Sequence, residues 1–139
     1  MGKLLFRIWQ WTWGLPQTLI GFVLYCIHRK RPHFVYHGCI VTRWQIPGSL
    51  GVGMFLFVND AHYRRDPQVL IHEFGHSVQS VILGPLFLLI MGIPSFLWCN
   101  LPPCKKLRKE KGVSYYRFYS ESNANFLGSL VSKEICSLK

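Results

Sequence analysis

VLIHEFGHSVQS, residues 69–80, sets two histidines four positions apart with a glutamate beside the first. On a helix, positions i and i+4 leave the same face. His72 and His76 would therefore offer both imidazoles to one point, and two imidazole nitrogens can bind one Zn²⁺ at about 2.0–2.1 Å. Glu73 falls on the flank of that face, where a carboxylate can take a proton from water instead of binding the metal. The competing reading is a buried helix with two hydrogen-bonded histidines. With 6 His and 4 Glu in 139 residues, H-E-x-x-H arises by chance roughly 0.007 times per chain. No charged residue other than Glu73 stands between Val69 and Val78, as suits a buried ligand helix. Gly75 leaves room for another element to come close.

A catalytic zinc site takes three protein ligands and leaves one position open. The chain has three other glutamates. Glu110 sits in a lysine-rich stretch and Glu134 beside Lys133, so both read as surface charges. Glu121 opens the almost uncharged segment ESNANFLG and is the candidate third ligand; alternatively it is a first-turn acid that complements a helix dipole. Asn125 lies four residues on and shares its face.

HEFGH followed by ESNAN resembles the gluzincin metallopeptidases, with H-E-x-x-H and a downstream E-x-x-A-D. The likeness is greatest to the membrane-embedded HtpX-like and CAAX-prenyl protease group and to the BlaR-type sensor peptidases. It rests on these two motifs and their helices, about a third of the chain. The resemblance implies His72, His76 and Glu121 as zinc ligands, Glu73 as general base, and Asn125 as the residue that orients a ligand histidine. Asn125 stands where the family usually has Asp, so that partner carries no charge. In those families a strand before the zinc helix lines the cleft, a role that residues 52–58 would fill by analogy. Site-2 proteases also carry H-E-x-x-H at membrane depth, but their later Asp ligand has no counterpart, since Asp60 and Asp66 both lie upstream. The chain also resembles small bacterial membrane proteins sharing HEFGHSVQS-ILGPL. Donors for a developing oxyanion could come from Tyr115, Tyr116, Arg117 or Tyr119, or from His62.

Composition favours a membrane setting. Hydrophobic residues make up 50% and charged residues 16%, against about a quarter charged in ordinary soluble domains. The net charge of +10 suits anionic headgroups. No zinc finger, P-loop or nucleic-acid module is recognisable, so nucleic acid is not an expected partner. The cysteines are odd in number, with no C-x-x-C, and indicate no disulfide framework.

The chain reads as one membrane-embedded α+β domain over 1–139, predominantly helical. Residues 4–27 are long and apolar enough for a signal-anchor helix, with Trp9, Trp11 and Trp13 as interfacial anchors and the basic HRKR following. Residues 34–58 predict two strands in a hairpin across Pro47-Gly48; for the second run, a membrane-dipping segment is the alternative. Asp66-Pro67 starts the zinc helix over 67–83. The apolar stretch 78–98, interrupted at Gly84-Pro85 and Pro94, crosses once as a kinked helix or turns back as a re-entrant hairpin. The positive-inside rule favours the hairpin, which puts both basic clusters, 28–31 and 105–111, on one side. A helix over 120–132, capped by Ser120, carries Glu121.

The expectation is therefore a zinc peptidase, one Zn²⁺ per chain, integral to a bacterial cytoplasmic membrane. Its partners would be the lipid bilayer, anionic headgroups and a membrane-proximal peptide or protein substrate. The alternative is a non-enzymatic membrane protein with a structural metal site or none.

Overall fold

The computed structural model describes residues 2–138. The fold is α+β and mostly helical, with one small mixed sheet. Helices α1 (Lys3–Thr12) and α2 (Leu15–Ile27) lead into strands β1 (His33–Tyr36), β2 (Cys39–Trp44), β3 (Leu50–Val52) and β4 (Phe55–Asn59). Then come α3 (Asp60–Arg65), α4 (Gln68–Leu83), α5 (Ile93–Asn100), α6 (Pro102–Lys111) and α7 (Tyr119–Ser132). A 3₁₀ turn at Gly84–Leu86 and a π turn at Leu88–Gly92 join α4 to α5; another 3₁₀ turn, Tyr115–Arg117, precedes α7.

The single helix expected over 4–27 does not form. The chain breaks at Trp13-Gly14, and Pro16, in the first turn of α2, has no N–H to carry the ladder across. Helices of 10 and 13 residues rise only about 15 and 20 Å. Among the described residues no single helix is long and apolar enough to cross a membrane. Both pieces are pinned to α4 by buried polar side chains. Gln10 Nε2 donates to the Ser77 carbonyl at 2.9 Å, and Gln17 Nε2 to Ser80 Oγ at 2.7 Å. Thr18 Oγ1 ties the two helices together through the Gln10 carbonyl, at 2.9 Å. These polar groups interrupt the apolar run because they are core residues that must find partners.

The two strands expected over 34–58 are four. Each predicted run contains its own turn. Tyr36 pairs with Cys39 around His37-Gly38, whose φ values are 46° and 94°; two positive φ angles are what a tight type I′ hairpin demands. Val52 pairs with Phe55 around Gly53-Met54. The two hairpins then join through a parallel pairing of β2 with β4, giving the order β1-β2-β4-β3. Central β4 is covered on both faces, so FLFVN shows no polar alternation. Phe55 meets Phe22 and Tyr25 of α2, and α4 packs against β3 and β4.

Helix α4 begins one residue after the expected 67, with Pro67 at its N-cap, and Asp66 Oδ1 accepts from the Gln68 N–H at 3.1 Å. Beyond Leu83 the apolar run turns by 119° between Gln68–Leu86 and Leu88–Asn100. Such a bend is compatible with either a broken span or a re-entrant loop. The basic stretch 105–111 is helical. Pro102 and Pro103 open α6 and Gly112, in the left-handed region, closes it. Helix α7 starts one residue before the expected 120, with Phe118 and not Ser120 at its N-cap. All five cysteines are free.

Candidate metal centre

Helix α4 lies between the sheet and α7, and two glycines set its distance to each. A Cβ on Gly75 would collide with the Ala124 carbonyl of α7. A Cβ on Gly51 would collide with the Glu73 carbonyl and stand 3.0 Å from His76 Cβ. Close approach on both sides brings a glutamate of α7 and the edge of β3 to the same turn of α4.

His72 and His76 leave α4 on the face towards α7, and Glu121 meets them there. His72 Nε2 is 3.0 Å and His76 Nε2 3.3 Å from Glu121 Oε2. The three ligating atoms lie within 4.8 Å of one another. A tetrahedral ion with bonds of about 2.0–2.1 Å has ligand–ligand edges of about 3.3 Å, close to the 3.0 and 3.3 Å that separate the two imidazoles from Glu121. His72, His76 and Glu121 could thus hold a metal ion.

Both ring orientations are fixed from behind. His72 Nδ1 donates to Asn125 Oδ1 at 2.6 Å, and Asn125 Nδ2 donates to the Leu138 carbonyl at 3.2 Å. His76 Nδ1 donates to Gln79 Oε1 at 2.8 Å, and Gln79 Nε2 donates to the Ser120 carbonyl and to Asn123 Oδ1. A carbonyl at the far side of each amide settles which end faces the histidine, so each Nε2 is left for the centre. Glu121 Oε1 accepts from Ser95 of α5 and, at 3.1 Å, from Ser120 Oγ. Helix α5 thereby helps to aim the Glu121 carboxylate.

All four core residues are buried, Glu121 completely. Burial pushes the Glu121 carboxyl up, but hydrogen bonds from His72 and His76 outweigh it and hold Glu121 ionised well below the usual range. Burial disfavours the His76 cation, yet Glu121 overcomes this and raises His76 to about 9 in the metal-free centre. Glu73 is different. Burial pushes its carboxyl up, against the opposing pull of His72 and His76. A carboxyl raised in this way is suited to accept and release a proton.

Glu73 and His76 lie on the wall of a cleft of about 270 Å³ between β3 and α5. Leu50, Gly51 and Val52 line one side; Ser95, Phe96 and Tyr115 line the other. The strand beside the cleft is thus β3 and not the expected 52–58, most of which is the interior strand β4. Of the candidate oxyanion donors, Tyr115 faces the cleft. Burial pushes its phenol up, keeping it a proton donor. Tyr116 packs edge-on to His72, with ring centroids 5.0 Å apart. Tyr119 is exposed and its hydroxyl donates to the Ile90 carbonyl. Arg117 is exposed at the end of its 3₁₀ turn. His62 borders a separate open depression with Asn59, Arg65 and Asp66. Sequence reasoning missed Gln79 and Ser95. Gln79 could have been found, because it follows His76 by three residues and so shares its face. Ser95 comes from across the 119° turn and gives no such signal.

No protein-family model, no curated protein and no solved structure matches the chain.

Proposed function

We propose that the chain is a zinc-dependent endopeptidase of the gluzincin type acting on peptides at a membrane. The observation that carries this reading is the convergence of His72, His76 and Glu121 beside a buried Glu73 that opens onto a cleft. A structural zinc site closes with a fourth protein ligand. Among the described residues the cluster has three, which leaves a position for substrate or water.

Zinc held by His72, His76 and Glu121 would polarise a peptide carbonyl and acidify water. Glu73 takes the proton of the attacking water as the carbon–oxygen bond forms, then gives it to the amine nitrogen as the carbon–nitrogen bond breaks. Tyr115 donates its hydroxyl proton in a hydrogen bond to the carbonyl oxygen as charge collects there. Strand β3 is a sheet edge, and its free backbone groups align an extended peptide along the cleft. Gln79 and Asn125 keep the two imidazoles in place.

The test is zinc content and turnover in detergent-purified protein. Wild type should carry about one zinc per chain and cleave an extended apolar peptide. Glu121→Ala should lose most of the zinc; Glu73→Gln should keep it and lose turnover. Zinc-free wild-type protein under metal-replete conditions would end this reading.

A further inference from the structure

The outer surface of the fold carries a second feature that the metal centre does not use. Helices α1 and α2 bury Gln10, Gln17 and Thr18 together with Phe6, and turn many apolar side chains outward. Leu4, Ile8, Trp9, Trp13, Leu19 and Val23 are between 44% and 73% exposed. The turn after α4 repeats the pattern: Leu86, Leu89, Ile93 and Phe96 are 51–66% exposed. These two surfaces adjoin. Trp9 Nε1 donates to the Val81 carbonyl at 3.2 Å, the Trp13 ring packs on Gly84, and Gln17 Nε2 donates to the Gly84 carbonyl at 2.9 Å. So large an apolar surface marks an interaction face.

Charge indicates the occupant. Each apolar element runs directly into a basic cluster. Arg29, Lys30 and Arg31 follow α2, and α6 with Lys105, Lys106, Lys109 and Lys111 follows α5. Those lysines are exposed, while Arg108 is engaged with the Trp98 carbonyl and ring. An apolar face edged by lysine and tryptophan matches the boundary of an anionic bilayer. No single helix that carries it is long enough to cross a hydrocarbon core of about 30 Å. The buried glutamines tie α1 and α2 to α4, and the second apolar run leaves α4 at a 119° turn.

We propose that this chain is monotopic: it sits in one leaflet of an anionic membrane, with α1, α2 and residues 86–97 immersed and both basic clusters on the same side. This differs from a spanning arrangement and does not depend on the metal centre. Because Ser95 and Phe96 line the cleft from the immersed element, the cleft lies at headgroup depth.

Full-length protein is added to preformed sealed vesicles of phosphatidylcholine, with or without phosphatidylglycerol, and floated on a density gradient. It should float with the anionic vesicles, and the combined change Lys105→Glu, Lys106→Glu and Lys109→Glu should weaken partitioning by at least about tenfold. All three positions are exposed, so folding is spared. Tryptophan fluorescence should be quenched more by shallow than by deep brominated acyl chains. Lys30→Cys and Lys109→Cys should both react with an impermeant maleimide added outside, read site by site by mass spectrometry. Protection of either cysteine would mean that the chain crosses, and would overturn the proposal. So would failure of folded protein to float, and a stable dimer in place of vesicle binding would assign the face to a second copy of the chain.

Discussion

Gln79 Oε1 sits 2.8 Å from His76 Nδ1, one helical turn along α4. The helix that supplies the imidazole thus also supplies the group that orients it, while Gln79 Nε2 ties the pair to α7. Replacing this amide by Leu keeps the bulk and removes the acceptor. Gln79→Leu should weaken zinc binding by about 10- to 100-fold, the usual range for such outer partners, with unchanged helix content. Competition with a chromophoric chelator measures it; unchanged affinity would show that His76 needs no orienting partner.

Asn125 does the same for His72 without a charge. Asn125→Asp should tighten zinc binding, by up to about tenfold, because a carboxylate strengthens the imidazole as a donor. The same titration gives the answer, and weaker binding would show that the neutral amide is required.

Zinc binding should depend on pH with a definite sign. The cation of His76 must lose its proton before Nε2 can coordinate. With His76 raised to about 9, apparent affinity should climb with pH by about tenfold per unit below that value and level off above it. A flat profile between pH 6 and 8 would mean that the imidazole is already neutral.

Glu73→Gln separates chemistry from binding. Zinc content should stay at the wild-type level while kcat falls by at least about 10²-fold, the lower end for loss of a general base. Loss of zinc together with turnover would recast Glu73 as a ligand.

Gly75→Ala should be costly for a glycine inside a helix, where alanine normally helps. The new methyl would meet the Ala124 carbonyl, so a loss of about 1–3 kcal/mol is expected from overpacking. Thermal unfolding reads it, and zinc affinity should fall in parallel because α7 must move.

The metal-centre geometry was legible in the sequence because its residues are few and its spacing is helical. H-E-x-x-H fixes one face of α4, and a chain so poor in acids leaves Glu121 as the only glutamate beyond that motif that lies outside a charged setting. The sheet was only half legible. His37-Gly38 is a turn signal of a common kind, but it lies within an otherwise unbroken β-branched run. The parallel pairing of β2 with β4 is non-local and leaves no mark beyond the missing alternation in FLFVN. The break in 4–27 was foreshadowed by Gln10 and Pro16. Hydropathy alone could not show that the glutamines face Ser77 and Ser80, since those partners lie more than sixty residues away.

The neutral amide at Asn125 also bears on charge balance. With a divalent cation bound, the ionised carboxylates of Glu121 and Glu73 bring the assembly to zero, provided that both imidazoles are uncharged. An aspartate at 125 would leave it at minus one. Burying a net charge away from water is expensive, whereas a compensated cluster is tolerated. The amide would therefore let a metal held by these residues lie close to an apolar surface without an added counter-ion, at the expense of some grip on it.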